Sequence, residues 1–336
     1  MSAIHPIWAL EGGRVAVRGE GFAVDGPRLP VVRIGPHEAR VVHASPRELG
    51  VLVPSGLDGG PTPVRVDDAP GETTFIEIGS KLAGELHLVD SPVFDRQGNL
   101  YVTFSGTRGQ RVGTSLFRIA PTRVREALPA EILNPTSAAF DREGRLYVSS
   151  RFEGTVYRVQ ADGSAEAFAT DLGIPCGLVF GPDGRLYVGD RSGSILCVTP
   201  EREIRVVASL PPSVAAYHLA MGPDLSLYVT APTLSSHDGV YRVELGGQVS
   251  TVCTGFGRPQ GLAFDSQGIL YVAEALAGAS AVFRLRIDRP EPAIEPVVAG
   301  VGLIGVALDP AGGLVVATGD AVYRFDVPLR PLQLAG

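Results

Sequence analysis

The sequence predicts an all-β protein in two parts, a small β-sandwich over residues 1–79 and a six-bladed β-propeller over residues 80–336. Three observations predict it. Short β-rich runs alternate with turn residues through the N-terminal part. A phrase that reads as paired strands recurs six times through the remainder. Gly (42) and Pro (27) are spread evenly between apolar runs, with no collagen-like period, which is the distribution of turns in an all-β chain.

In the N-terminal part, Arg14–Arg18 alternates so that Val15 and Val17 share one face. Val31–Ile34, Ala39–Val42, Gly50–Val53, Pro63–Val66 and Thr74–Ile78 follow at the spacing of a sandwich. Gly19, Gly21 and Gly26 surround Phe22 in GEGFAVDG. GGRVAVRGEGF (12–22), VVRIGPHEARVV (31–42) and ELGVLVPSGLDGGPTPVRV (48–66) resemble the IPT/TIG family of immunoglobulin-like domains. That resemblance implies a binding or spacer module without catalytic residues. His5, His37 and His43 lack ligand spacing and read as surface or loop histidines.

The repeat defines the rest. SPVFDRQGNLYV, SAAFDREGRLYV, GLVFGPDGRLYV, HLAMGPDLSLYV, GLAFDSQGILYV and GVALDPAGGLVV place a leucine at Leu100, Leu146, Leu186, Leu227, Leu270 and Leu314. A third-strand phrase follows each copy: SLFRI, TVYRV, SILCV, GVYRV, AVFRL and AVYRF. A weaker fourth run closes each unit. Four strands at a period of roughly forty residues is the signature of propeller blades. The acidic turns between first and second strands are too short, and too poor in carboxylates, for calcium loops. Arg118, Arg158, Arg242, Arg284 and Arg324 recur at one third-strand position, with Cys197 as the exception, and read as scaffold. Leu332–Ala335 reads as the outer strand of the last blade; Lys81–Leu88 either adds beside it or serves only as the linker, with the linker reading preferred.

These blades resemble NHL-type repeats and, more closely, the senescence marker protein and gluconolactonase family, from about residue 85 to the end. In that family the starts of the first strands supply an oxygen-rich divalent metal site of a Glu, two Asn and an Asp. The matching positions here are Asp90, Thr136, Cys176, Tyr217, Gln260 and Ile304. Asp90 stands where the family has its Glu, and Thr136 and Cys176 where it has Asn. Tyr217, with His218 beside it, stands near the family's Asp. A hard cation such as calcium needs several oxygen ligands, and only Asp90 clearly supplies one. A softer set of Asp90, Cys176 and His218 would suit zinc by ligand type.

The loops between second and third strands add Arg151 and Glu153, Asp190 and Arg191, His237 and Asp238, and Glu274. Arg151 and Arg191 hold equivalent places in adjacent blades. Two neighbouring guanidiniums would grip a carboxylate or a sugar acid bidentately; the alternative is that each pairs with a nearby Asp or Glu. His218 and Glu274 are the candidate base and acid, if they meet across the axis. No Ser-His-Asp phrase, phosphate loop or dinucleotide fingerprint occurs.

A net charge of −7 without a basic stripe argues against nucleic acid. No long apolar run argues for a membrane span, and residues 1–10 do not read as a secretory signal, so the expected place is the cytoplasm. Cys176, Cys197 and Cys253 are too few and too scattered for a disulfide framework. Two functions follow. One is a propeller that binds a small molecule or a protein on its axial face. The other is a metal-dependent lactonase-like hydrolase or lyase with Asp90 as a ligand to calcium or zinc.

Overall fold

The computed structural model describes residues 3–334 except 68–72, 277, 279 and 290–291. The described residues hold strands, turns and bridges, and none of them forms a helix long and apolar enough to cross a membrane.

The repeat becomes a β-propeller. Five four-stranded sheets stand separately among the described residues. Four run in chain order, with inner strands Val93–Phe94, Pro135–Phe140, Pro175–Phe180 and His218–Met221. A further antiparallel meander of the same order runs from Pro259–Phe264 to Ile294–Ala299, but its outer strand pairs onward with Trp8–Ala9. The last sheet combines Leu303–Leu308, Leu314–Thr318 and Val322–Phe325 with Ser80–Ala83.

That last pairing corrects the linker reading. Ser80, Lys81 and Ala83 pair antiparallel with Arg324, Tyr323 and Val322, so an early strand completes the final sheet. The C-terminal run instead crosses under the ring. Pro331 bridges Asp265, and the Leu332 amide donates to the Phe264 carbonyl (3.0 Å). Ala335, the end of the expected outer strand, lies outside the described residues.

Packing follows from the alternation of each blade phrase. Apolar residues of neighbouring sheets interdigitate, as where Tyr147, Val156 and Leu172 meet Leu178, Leu186 and Val188. The final sheet packs back on the first, with Ala307, Val315 and Val322 against Leu88, Leu100 and Val102. The hairpin turns are held by their aspartates. Asp141 Oδ1 accepts from the amides of Glu143 (3.0 Å) and Arg145 (2.8 Å), an Asx turn repeated at Asp95 and Asp265. The third-strand arginines pair within their own sheets, as Arg158 does with Glu166 (3.0 Å) and Arg284 with Glu295 (2.8 Å).

The N-terminal strands bury one cluster, from Ile4 through Val15, Val32, Leu49 and Val64 to Ile78, which Ala299 of the adjacent meander joins. They do not form a free-standing sandwich. Trp8–Ala9 lies parallel to Glu77–Ile78 on one side and to Val298–Ala299 on the other, fusing them with the adjacent meander into a twelve-stranded sheet.

Candidate functional site

The inner strands bring three side chains into one buried chain at the axis. His218 Nδ1 donates to Asp90 Oδ1 at 2.6 Å, since the carboxylate only accepts. His218 Nε2 faces Gln260 Oε1 at 3.2 Å. Asp90 Oδ1 also accepts from the Ser91 amide (2.6 Å). Asp90, His218 and Gln260 are 5%, 1% and 4% exposed, so this layer is a septum rather than a solvated site. Below it a channel of about 370 Å³ runs between Ser91, Ser137 and the rings of Phe94, Phe140 and Phe264, with Leu332 and Leu334 of the tail at its lower end. Above it lies the mouth, lined by Cys176, Gln260, Ile304, Arg151, Arg191 and Arg258.

Tyr217 is not at the mouth. Its ring is buried between adjacent sheets and its hydroxyl donates to the Pro211 carbonyl. Pairing of this inner strand begins in register at His218 with Thr230, without the shift that opens the strands at Pro135, Pro175 and Pro259. His218 therefore takes the axial place. Gly177 in the neighbouring strand makes room, because a Cβ there would stand 2.6 Å from the Tyr217 carbonyl oxygen. Thr136 is buried and donates to the Asn134 carbonyl (3.4 Å).

The rim separates by sign. Its carboxylates turn inward to the backbone. Glu274 accepts from the amides of Gly257 (2.8 Å), Arg258 (2.8 Å) and Leu276 (2.6 Å). Asp190 accepts from Ile174 (2.9 Å) and Ser192 (3.2 Å), and Asp238 from Thr233 (2.8 Å). Glu153 takes Tyr157 (3.0 Å) and Ser150 (3.1 Å). The pairing of His218 with Glu274 is thus not formed, since both ring nitrogens and the carboxylate are engaged elsewhere. His237 is exposed on its loop beside Ser236.

The guanidiniums stay free of acids. Arg191 donates to the carbonyls of Ser213 (3.1 Å) and Val214 (2.9 Å), which fixes its plane. Arg151 is half-buried and has no hydrogen-bond or ion-pair partner among the described residues. Burial, and then the neighbouring charges of Arg191 and Arg108, press its pKa below the usual arginine value. His87 is lowered too, by burial and then by Arg151. The reading that each arginine pairs with a nearby carboxylate is therefore overturned for Arg151 and Arg191.

Arg108 was not among the residues expected here. Its loop joins Leu100–Thr103 to Leu116–Ile119 and is longer than its counterparts; that length was the only signal. Buried Asn134 anchors it, donating to the carbonyls of Ser105 (2.6 Å) and Thr107 (2.8 Å) and accepting from the Gly109 amide (2.6 Å).

Residues 135–330 match the model of the SMP-30/Gluconolactonase/LRE-like region. The chain belongs to this family. No curated protein matches it. Among solved structures, a gluconolactonase from Xanthomonas campestris is 17% identical, covering 94% of this chain and 99% of its own, with a TM-score of 0.60. A putative gluconolactonase is 15% identical over 76% of this chain and 93% of its own, at 0.61. A catalytically inactive virginiamycin B lyase from Staphylococcus aureus, solved with quinupristin, is 14% identical over 92% and 98%, at 0.55. At such identities the likeness is one of fold.

The divalent metal expected from the gluconolactonase resemblance does not fit this mouth. Among the described residues no group of three or more His, Cys, Asp or Glu side chains is arranged to hold a metal ion. Asp90 is engaged by His218 and Ser91, Thr136 faces the Asn134 carbonyl, and the Cys176 thiol donates to the Ile174 carbonyl (3.4 Å). The calcium and zinc sets are both corrected on these grounds.

Proposed function

We propose that this member of the SMP-30/gluconolactonase-like family is a binding propeller that captures a small carboxylate at its axial mouth, without a metal ion. Arg151 carries the reading: a half-buried guanidinium with no acidic partner, beside an Arg191 held flat by two carbonyls. Burying a cation without a counter-charge costs free energy that a bound anion would return. Guanidiniums also match carboxylates with two parallel hydrogen bonds. The rim carboxylates that would otherwise neutralise these arginines hold hydroxyls and loop amides instead.

The same reading counts six blades, taking the Pro259–Ala299 meander as the fifth. Its support is the run of apolar clusters joining each unit to the next and the last to the first. It also takes the N-terminal strands as an immunoglobulin-like module of the IPT/TIG kind, locked to the fifth blade by Trp8–Ala9. Such a module orients the mouth and does not contribute to it.

The test is calorimetric titration of chelator-treated protein with gluconate and 3-phenylpropionate, each beside its primary amide. Saturable binding of a carboxylate and none of its amide supports the proposal. Equal binding of acid and amide, or binding that appears only after calcium or zinc is added, overturns it.

A further inference from the structure

The mouth does not end at the axis. Beside it lies a cavity of about 580 Å³ whose wall includes Arg108, Arg151, Arg191, Phe152 and Ile174. The two spaces share Arg151 and Arg191. Phe152 is 49% exposed and Ile174 38%. The Phe152 ring lies on the Arg108 loop, where a Cβ on Gly109 would stand 3.2 Å from the ring. An exposed phenyl by itself is ordinary, but here the Phe152 ring and the branched Ile174 side chain share one concave wall with three guanidiniums. Neither the axial septum nor the Asn134 anchor needs them there.

We infer that the ligand of this site is an amphipathic carboxylate whose aryl or branched alkyl body lies against Phe152 and Ile174 while its carboxylate meets Arg151 and Arg191. This rests on the reading of the mouth as a carboxylate site and narrows its substrate class. A polyhydroxylated sugar acid would set hydroxyls against the apolar wall and leave their hydration unreplaced. The volume suits a ligand of one ring and a short chain, within the ordinary range of small-molecule sites.

Calorimetry on the full chain compares two monocarboxylates, 3-phenylpropionate and gluconate, in wild type, Phe152→Ala and Ile174→Ser. The expected result is about tenfold tighter binding of 3-phenylpropionate in wild type, the effect of covering one ring face. Phe152→Ala should bring that ratio to within about threefold and leave gluconate unchanged. Ile174→Ser should move it the same way. Because Phe152 is exposed, its truncation does not threaten folding, and circular dichroism checks that. Gluconate binding as well as 3-phenylpropionate, or a ratio unmoved by Phe152→Ala, overturns this inference alone. Failure of both acids to bind overturns the carboxylate reading with it.

Discussion

His218 and Asp90 stand 128 residues apart and meet at 2.6 Å, both buried, in a contact that ties the first sheet to the fourth across the axis. Removing His218 leaves the buried Asp90 carboxylate with the Ser91 amide alone. His218→Ala should lower stability by about 1–3 kcal/mol, the usual cost of leaving a buried polar group short of a partner. Asp90→Asn should cost less, because its carbonyl oxygen still accepts from Nδ1. Thermal unfolding of the two variants checks the order, and a His218→Ala transition equal to wild type would contradict it.

Closure of the ring by Ser80–Ala83 makes a second prediction. The amides of this segment should exchange with deuterium as slowly as those of Val322–Phe325, with which they pair. Exchange at loop rates, measured by mass spectrometry on peptic fragments, would restore the linker reading.

Trp8 is the sole tryptophan and sits in the strand that joins the N-terminal unit to the propeller, 6.2 Å from the Phe325 ring. Its fluorescence should therefore change in the same denaturant transition as the far-ultraviolet circular dichroism. Two separated transitions would mean that the N-terminal strands unfold on their own.

The Cys176 thiol offers a chemical check on the mouth. Burial raises its pKa to about 11, so the thiolate forms only as the pH rises toward that value. Folded protein at pH 8 should resist iodoacetamide at Cys176, and react once denatured. Rapid labelling in the folded state, read by mass spectrometry, would show the mouth to be more open or more activating than described.

How much of this could be read beforehand divides along a physical line. The blades were legible because each hairpin repeats its alternation and its turn aspartate, as at Asp95, Asp141 and Asp265. Such signals are local. Ser80–Ala83 carries no repeat signature, since its partner lies at the far end of the chain. Tyr217 and His218 were indistinguishable in sequence, and strand register decided between them. Arg151 and Arg191 were found by their equivalent positions. That Glu153, Asp190 and Glu274 would spend their oxygens on nearby hydroxyls and amides was not visible. A carboxylate beside an arginine in sequence does not reveal which way it turns.

On the proposed reading, Arg151 is an unneutralised cation that a bound carboxylate completes. The most direct measurement is the affinity of chelator-treated Arg151→Met for 3-phenylpropionate, beside wild type. Arg151→Met should bind about tenfold or more weakly, as for loss of a charge-assisted pair, and wild-type binding should weaken at high salt. Unchanged affinity in the Arg151→Met variant would contradict it.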